Sequence, residues 1–199
     1  LFTNIGKSYI SQGFKYQENF EKEYMPTFTY KVEGIEITKT ICMEHFKNTV
    51  GVYYKIKNQK QHTKFTIAPI MNFRDIHGIN NNHYYEIEQN INGRKIELNI
   101  DGGMPIYINI SDGKYIQHQN DTFGGMFYIE EEKRGFEAVE NHAVPGRYEI
   151  NINPGEEKQI SFICSLEKDI DELDARALIT KEKARISKTI NASGLINDK

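Results

Sequence analysis

The chain has 199 residues, with 25 Lys and Arg set against 28 Asp and Glu, a formal net charge of -3 and a pI near 6.1. That balance excludes the strongly basic surface of a nucleic-acid binder. Its apolar runs, the largest from Ile67 to Met71 around Pro69, fall far short of the roughly 20 residues that a membrane span needs, so neither a nucleic acid nor a membrane is an expected partner.

Isoleucine outnumbers leucine by 28 to 6, alongside 12 Tyr and 11 Phe, a composition suited to pleated surfaces rather than helices. The chain starts at Leu1 without a secretory pattern, so we expect it to be a piece of something longer. Residues 1–25 are mixed, with Gly6 and Gly13 and then Phe14, Tyr16, Phe20 and Tyr24. From Pro26 a period of two begins: Phe28, Tyr30 and Val32 alternate with polar neighbours, Glu33-Gly34 forms a turn, and Ile35 to His45 completes a hairpin. Val50, Val52, Tyr54 and Ile56 make the next strand. Another runs from Thr63 to Asn72, apolar on both faces toward its end, with an exit that should be buried.

Tyr84 to Glu88 and Ile96 to Ile100 flank the tight-turn pair Asn92-Gly93. Ile106, Ile108 and Ile110 lead through Asp112-Gly113 into Lys114 to His118, which reads as a further hairpin. Tyr148, Ile150 and Ile152 precede Asn153-Pro154-Gly155, and Gln159 to Leu166 ends the strand pattern. So many short strands without an intervening helix predict an all-β fold, a large antiparallel β-sandwich over residues 1–166. After Leu166, Asp169-Ile-Asp-Glu172 has capping-box spacing, with acids in the first turns and Lys181, Lys183, Arg185 and Lys188 in the last. This predicts a C-terminal linker helix within 167–199, with a narrow apolar stripe including Ile170, Leu173, Ala177 and Ala184, and suggests that the natural chain continues beyond it.

The two cysteines fall on differently patterned faces. Cys42 shares a face with Glu36 and Glu44, whereas Cys164 shares one with Ile160, Phe162 and Leu166, so free thiols in a reducing cytoplasm are the expectation. The histidines His45, His62, His83, His118 and His142 have no HxH or HExxH spacing, and no phosphate-binding loop or nucleophile elbow occurs. We therefore expect no metal and no cofactor. Gly102-Gly103 and Gly124-Gly125 read as turns or bulges.

Two polar constellations stand out. Asn72-Phe-Arg74-Asp75-Ile-His77-Gly combines a donor fork, an acceptor and a group that does both, which could hold sugar hydroxyls or a carboxylate, or form a strand-end ion pair. Phe127-Tyr-Ile-Glu130-Glu-Glu132-Lys-Arg134-Gly135 sets carboxylates beside aromatics, as a glycosidase needs, but in an extended segment consecutive glutamates point to alternate sides, as on a solvated face.

The order of these pieces resembles a known family. Met25 to Met43, Asn48 to Tyr54, Ile67 to His77, Glu132-Lys-Arg-Gly135, Val144-Pro-Gly-Arg-Tyr148 and Asn153-Pro-Gly-Glu156 together resemble the N-terminal domain of the bacterial and archaeal glycogen debranching enzymes, the amylo-α-1,6-glucosidases, over roughly residues 13–166. The resemblance implies a supersandwich preceding a catalytic (α/α)6 barrel, as in the related glucoamylases. It implies that the catalytic carboxylates lie on that barrel, so no catalytic residue is expected in this chain. The implied partners are the barrel of the same polypeptide and glycogen or another branched α-glucan. Asn72, Arg74, Asp75, His77, Glu132 and Arg134 are carried over as a domain-interface or substrate-rim set. Where family members often carry a Trp ahead of the acidic stretch, this chain has Phe123 and Phe127. A free-standing carbohydrate-binding or structural sandwich is the alternative reading.

Overall fold

The computed structural model describes residues 2–5, 8–80 and 84–194. In chain order these form β1 (Phe2–Ile5), β2 (Ser8–Gln12), a 3-10 turn (Gly13–Tyr16), β3 (Gln17–Lys22), β4 (Pro26–Val32), β5 (Ile35–Met43), β6 (Thr49–Asn58) and β7 (Thr63–Ile67). Then follow β8 (Ile87–Asn92), β9 (Lys95–Ile100), β10 (Ile106–Ile110), β11 (Lys114–Phe127), α1 (Ile129–Lys133), β12 (Val139–Ile152), β13 (Glu157–Ser165) and α2 (Ala175–Ser193). The fold is all-β and antiparallel, as the alternation predicts. His83 lies outside the described residues.

The strands collect into two compact units through which the chain passes repeatedly. One comprises 1–16, 64–105 and 113–151, and the other 17–63, 106–112 and 152–199. In the first, a five-stranded sheet in the order β2-β1-β11-β12-β7 is overlaid by the β8–β9 hairpin, making an open sandwich. Buried Ile96, Leu98 and Ile100 of the hairpin supply apolar surface, as do Tyr148 and Ile150 of β12. Polar groups tie the layers. The Tyr115 hydroxyl donates to Gln89 at 2.6 Å, Gln89 donates to the Pro145 carbonyl at 2.7 Å, and the Tyr148 hydroxyl donates to the Arg94 carbonyl at 3.0 Å. These three side chains therefore each have a partner, without which their burial would cost free energy.

In the second unit, β3-β4-β5-β6-β13-β10 run antiparallel and α2 packs on one face. Ala175 and Leu178 meet Tyr107 and Ile163, while Ile179 meets Met25 and Cys42. Gly51 permits this close approach: a Cβ there would stand 3.1 Å from the Ala175 Cα. Helix and sheet are also stitched by polar contacts, with Ala175 N–H donating to Ser161 Oγ at 2.7 Å and the His45 N–H donating to buried Glu182 at 3.2 Å.

Several expectations are corrected. The helix starts at Ala175, capped by Asp174, whose side chain accepts from Ala177 N–H; Asp169 to Glu172 lie in the turns before it. Its buried stripe is Ala175, Leu178, Ile179 and Glu182, whereas Ala177 and Ala184 are exposed. The strand expected over Thr63 to Asn72 stops at Ile67, because Pro69 has no N–H for the ladder, and Met71 makes only an isolated bridge to Ala143. Tyr84 to Glu86 precede a strand that begins at Ile87. Ile106 to His118 is not a hairpin: β10 pairs with β13 and β11 with β12. Cys42, expected on a polar face, is buried because α2 covers that face, while Cys164 is half-buried on the opposite one; both thiols are free. The Glu33-Gly34 and Asn92-Gly93 turns form as expected, with φ of 49° at Glu33, 86° at Gly34 and 63° at Gly93. No helix among the described residues is long and apolar enough to cross a membrane.

Candidate functional site

The segment from Asn72 to Asn80 leaves the sheet after Pro69 and is fastened to β12 at both ends. Met71 and Ala143 exchange two backbone hydrogen bonds of 3.0 and 2.8 Å, and Asn141 N–H donates to the Asn80 carbonyl at 2.7 Å. Within it, Asp75 builds an Asx turn: its carboxylate accepts from His77 N–H at 2.9 Å, and its carbonyl accepts from Gly78 N–H at 3.0 Å. Asp75 thus shapes the loop. Asn72 accepts from the Tyr85 hydroxyl at 3.1 Å and is likewise turned inward.

Arg74 is the central clamp. Its Nε and Nη2 donate to the two carboxylate oxygens of Glu140, and its Nη1 donates to the Asp75 carbonyl at 2.9 Å. Glu140, on β12, is 0% exposed and also accepts from the Tyr128 hydroxyl at 2.8 Å and from Asn80 N–H at 3.4 Å. A buried carboxylate is tolerable only with such a complement of donors. Burial alone would raise its pKa; the Arg74 and Tyr128 hydrogen bonds and the Arg74 charge outweigh that, holding it below the usual range. Burial and then the Glu140 hydrogen bond push Tyr128 up to about 12, so the phenol keeps its proton.

The Tyr128 oxygen lies 3.2 Å from His142 Nε2. Since its proton is directed at Glu140, it accepts from His142, which assigns the Nε2–H tautomer to a neutral ring. Burial first, and the Arg74 charge with it, lower the His142 pKa against the opposing pull of Glu140. A bulge in β11 serves this arrangement: pairing slips between Phe123 and Met126, Gly125 adopts φ 73°, and its N–H donates to Asn141 Oδ1 at 2.8 Å. The Gly124-Gly125 pair is therefore the bulge that its composition predicts.

The acidic run is corrected from extended to helical. Ile129–Lys133 is α1, so Glu130 and Lys133 pair at 2.7 Å, while Arg134 pairs with Glu131 and donates from Nε to the Glu130 carbonyl at 3.1 Å. Between this turn and the Arg74 loop lies an open pocket of about 770 Å³, whose wall includes Arg74, His77, Tyr128, Glu131, Arg134, Phe136 and Glu137. Of the residues singled out in the sequence, Arg74, His77 and Arg134 meet at this pocket; Asn72 and Asp75 support it from behind, and Glu132 is exposed on α1, where Glu131 provides the wall instead. Sequence reasoning missed Glu140, Phe136 and Glu137, and took Tyr128 only as an aromatic beside the acidic run. The signal for Glu140 was an acid at i, i+2 to His142 on a strand face otherwise made of Val144, Gly146, Tyr148, Ile150 and Ile152, where alternation aims both side chains the same way.

Fold and site define the class: an all-β antiparallel domain bearing an open, polar and aromatic surface pocket within one of its units. A model of the glycogen debranching enzyme N-terminal family matches residues 1–159, most of the chain, and the chain belongs to that family. Comparison with curated proteins gives no match. Among solved structures, a polysaccharide lyase is similar with a TM-score of 0.43 at 11% identity, over 91% of this chain and 27% of its own. A chain described as a kojibiose phosphorylase from the human microbiome is similar with a TM-score of 0.41 at 12% identity, over 87% of this chain and 21% of its own. The present chain thus spans about a quarter of the length of those proteins.

Proposed function

We propose that this chain is a non-catalytic N-terminal domain of a glycogen debranching enzyme-like α-1,6-glucosidase, which docks the catalytic barrel of its own polypeptide and helps to position branched α-glucan, in the cytoplasm. The observation that carries this reading is the pocket itself. Its loop is held rigid by internally satisfied polar groups, yet its mouth presents Ile76 at 83% and Phe136 at 64% exposure, on a chain of the debranching-enzyme family. Large apolar side chains raised on a stiff polar frame suit an interface. Of the two carboxylates in the pocket wall, Glu131 is committed to Arg134, which leaves Glu137 alone where glycoside hydrolysis takes a pair.

The test is to mix the purified chain with the separately produced catalytic portion of the parent protein and pass the mixture over a sizing column. Co-elution is expected, together with loss of co-elution on Ile76→Asp. Independent migration of the two pieces would overturn docking, and enzyme-dependent glucose release by the purified chain alone would overturn its non-catalytic assignment.

A further inference from the structure

The pocket wall divides into groups that are occupied and groups that are not. Arg74 is tied to Glu140, Arg134 to Glu131, and Tyr128 to Glu140 and His142. The side chains of Glu137 and His77, by contrast, have no hydrogen-bond partner among the described residues, and the Phe136 ring stands largely clear of the surface. The unengaged set is therefore one acceptor, one group able to donate and accept, and one aromatic face.

Charge narrows what such a set would hold. Arg74 and Arg134 are balanced in the wall by Glu131 and Glu137, with Glu140 buried beneath. A phosphate or carboxylate would gain no net attraction there and would face the unpaired Glu137 carboxylate, whereas a neutral polyol can donate to it. The volume of about 770 Å³ lies within the usual span of small-molecule sites.

We propose that the pocket is a subsite for one neutral glucosyl unit, with the Phe136 ring as its stacking face and Glu137 and His77 as the groups that read its hydroxyls. This rests on the glucan-positioning reading above and goes further by naming the groups and excluding a charged sugar. Arg74 is then a positioning residue: through Glu140 it sets the loop that carries His77.

Titration of the 199-residue chain with maltotriose at millimolar concentration, followed by amide NMR and calorimetry, tests it. Saturable binding is expected, with shifts at Phe136 and His77. Phe136→Ala should weaken it about threefold to tenfold, the scale of one lost aromatic contact, and Glu137→Gln should weaken it as well. Both residues are exposed, so thermal unfolding should be unchanged in both variants. Glucose 1-phosphate should bind more weakly than maltotriose. Absence of saturable binding by the parent chain, equal affinity in both variants, or a preference for glucose 1-phosphate would each overturn the subsite. A chain that co-elutes with its catalytic portion but fails these titrations would sink the subsite and leave docking standing.

Discussion

The guanidinium of Arg74 directs its donors inward, to a fully buried carboxylate and to the carbonyls of its own loop. Removing it leaves Glu140 charged and short of donors, which costs far more than a surface ion pair returns. Arg74→Ala should lower stability by about 3 kcal/mol in denaturant unfolding, while Arg74→Ala with Glu140→Leu should recover much of the loss. Two windows of pH dependence belong to the same cluster. His142 is held below its ordinary value, so the unfolded chain takes up its proton first; the stability it contributes is present above about pH 6.5 and fades as pH falls below that. Glu140, also depressed, contributes above about pH 4.3 and loses that contribution as pH falls through its folded value. Melting temperature against pH should therefore decline in two stages. His142→Gln should flatten the upper stage alone; an unchanged upper stage would refute that assignment. Arg74 and His77 were legible as unusual polar residues after an apolar strand. Which way they face was not, because an Asx turn and a buried partner 66 residues downstream decide it.

At the scale of elements, hairpins with short turns were readable because alternation and turn residues agree locally, as in β4–β5 and β8–β9. The pairing of β10 with β13 was not, since nothing within either strand names a partner more than 50 residues away. The start of α2 shows the same limit. Asp169-Ile-Asp-Glu satisfies a local capping pattern, but Ile170 and Leu173 are drawn against Ile163 and Tyr107 before the helix begins, and Asp174 receives the cap. Asp174→Ala should cost about 1 kcal/mol, whereas Asp169→Ala should fall within about 0.5 kcal/mol of the parent. Equal effects in thermal unfolding would restore the upstream start.

For the molecule as a whole, neither thiol bridges, and burial is the main reason that both Cys42 and Cys164 are pushed up to about 11. Thiolates are therefore scarce at neutral pH. The native chain should resist thiol-specific labelling at pH 8, react at both positions once unfolded, and melt at the same temperature with and without reductant. Rapid native labelling of Cys42 would mean that α2 lifts from the sheet far more readily than its packing implies. The interleaving of the two units carries a consequence for synthesis. Each unit is assembled from three separate stretches, and β6 near the front waits for β13 near the back. A nascent chain leaving the ribosome thus carries the open β6 edge until residue 165 has emerged, after the first unit already has all its strands. The two units finish in sequence, the first before the second, and no single cut could pass either of them to another protein.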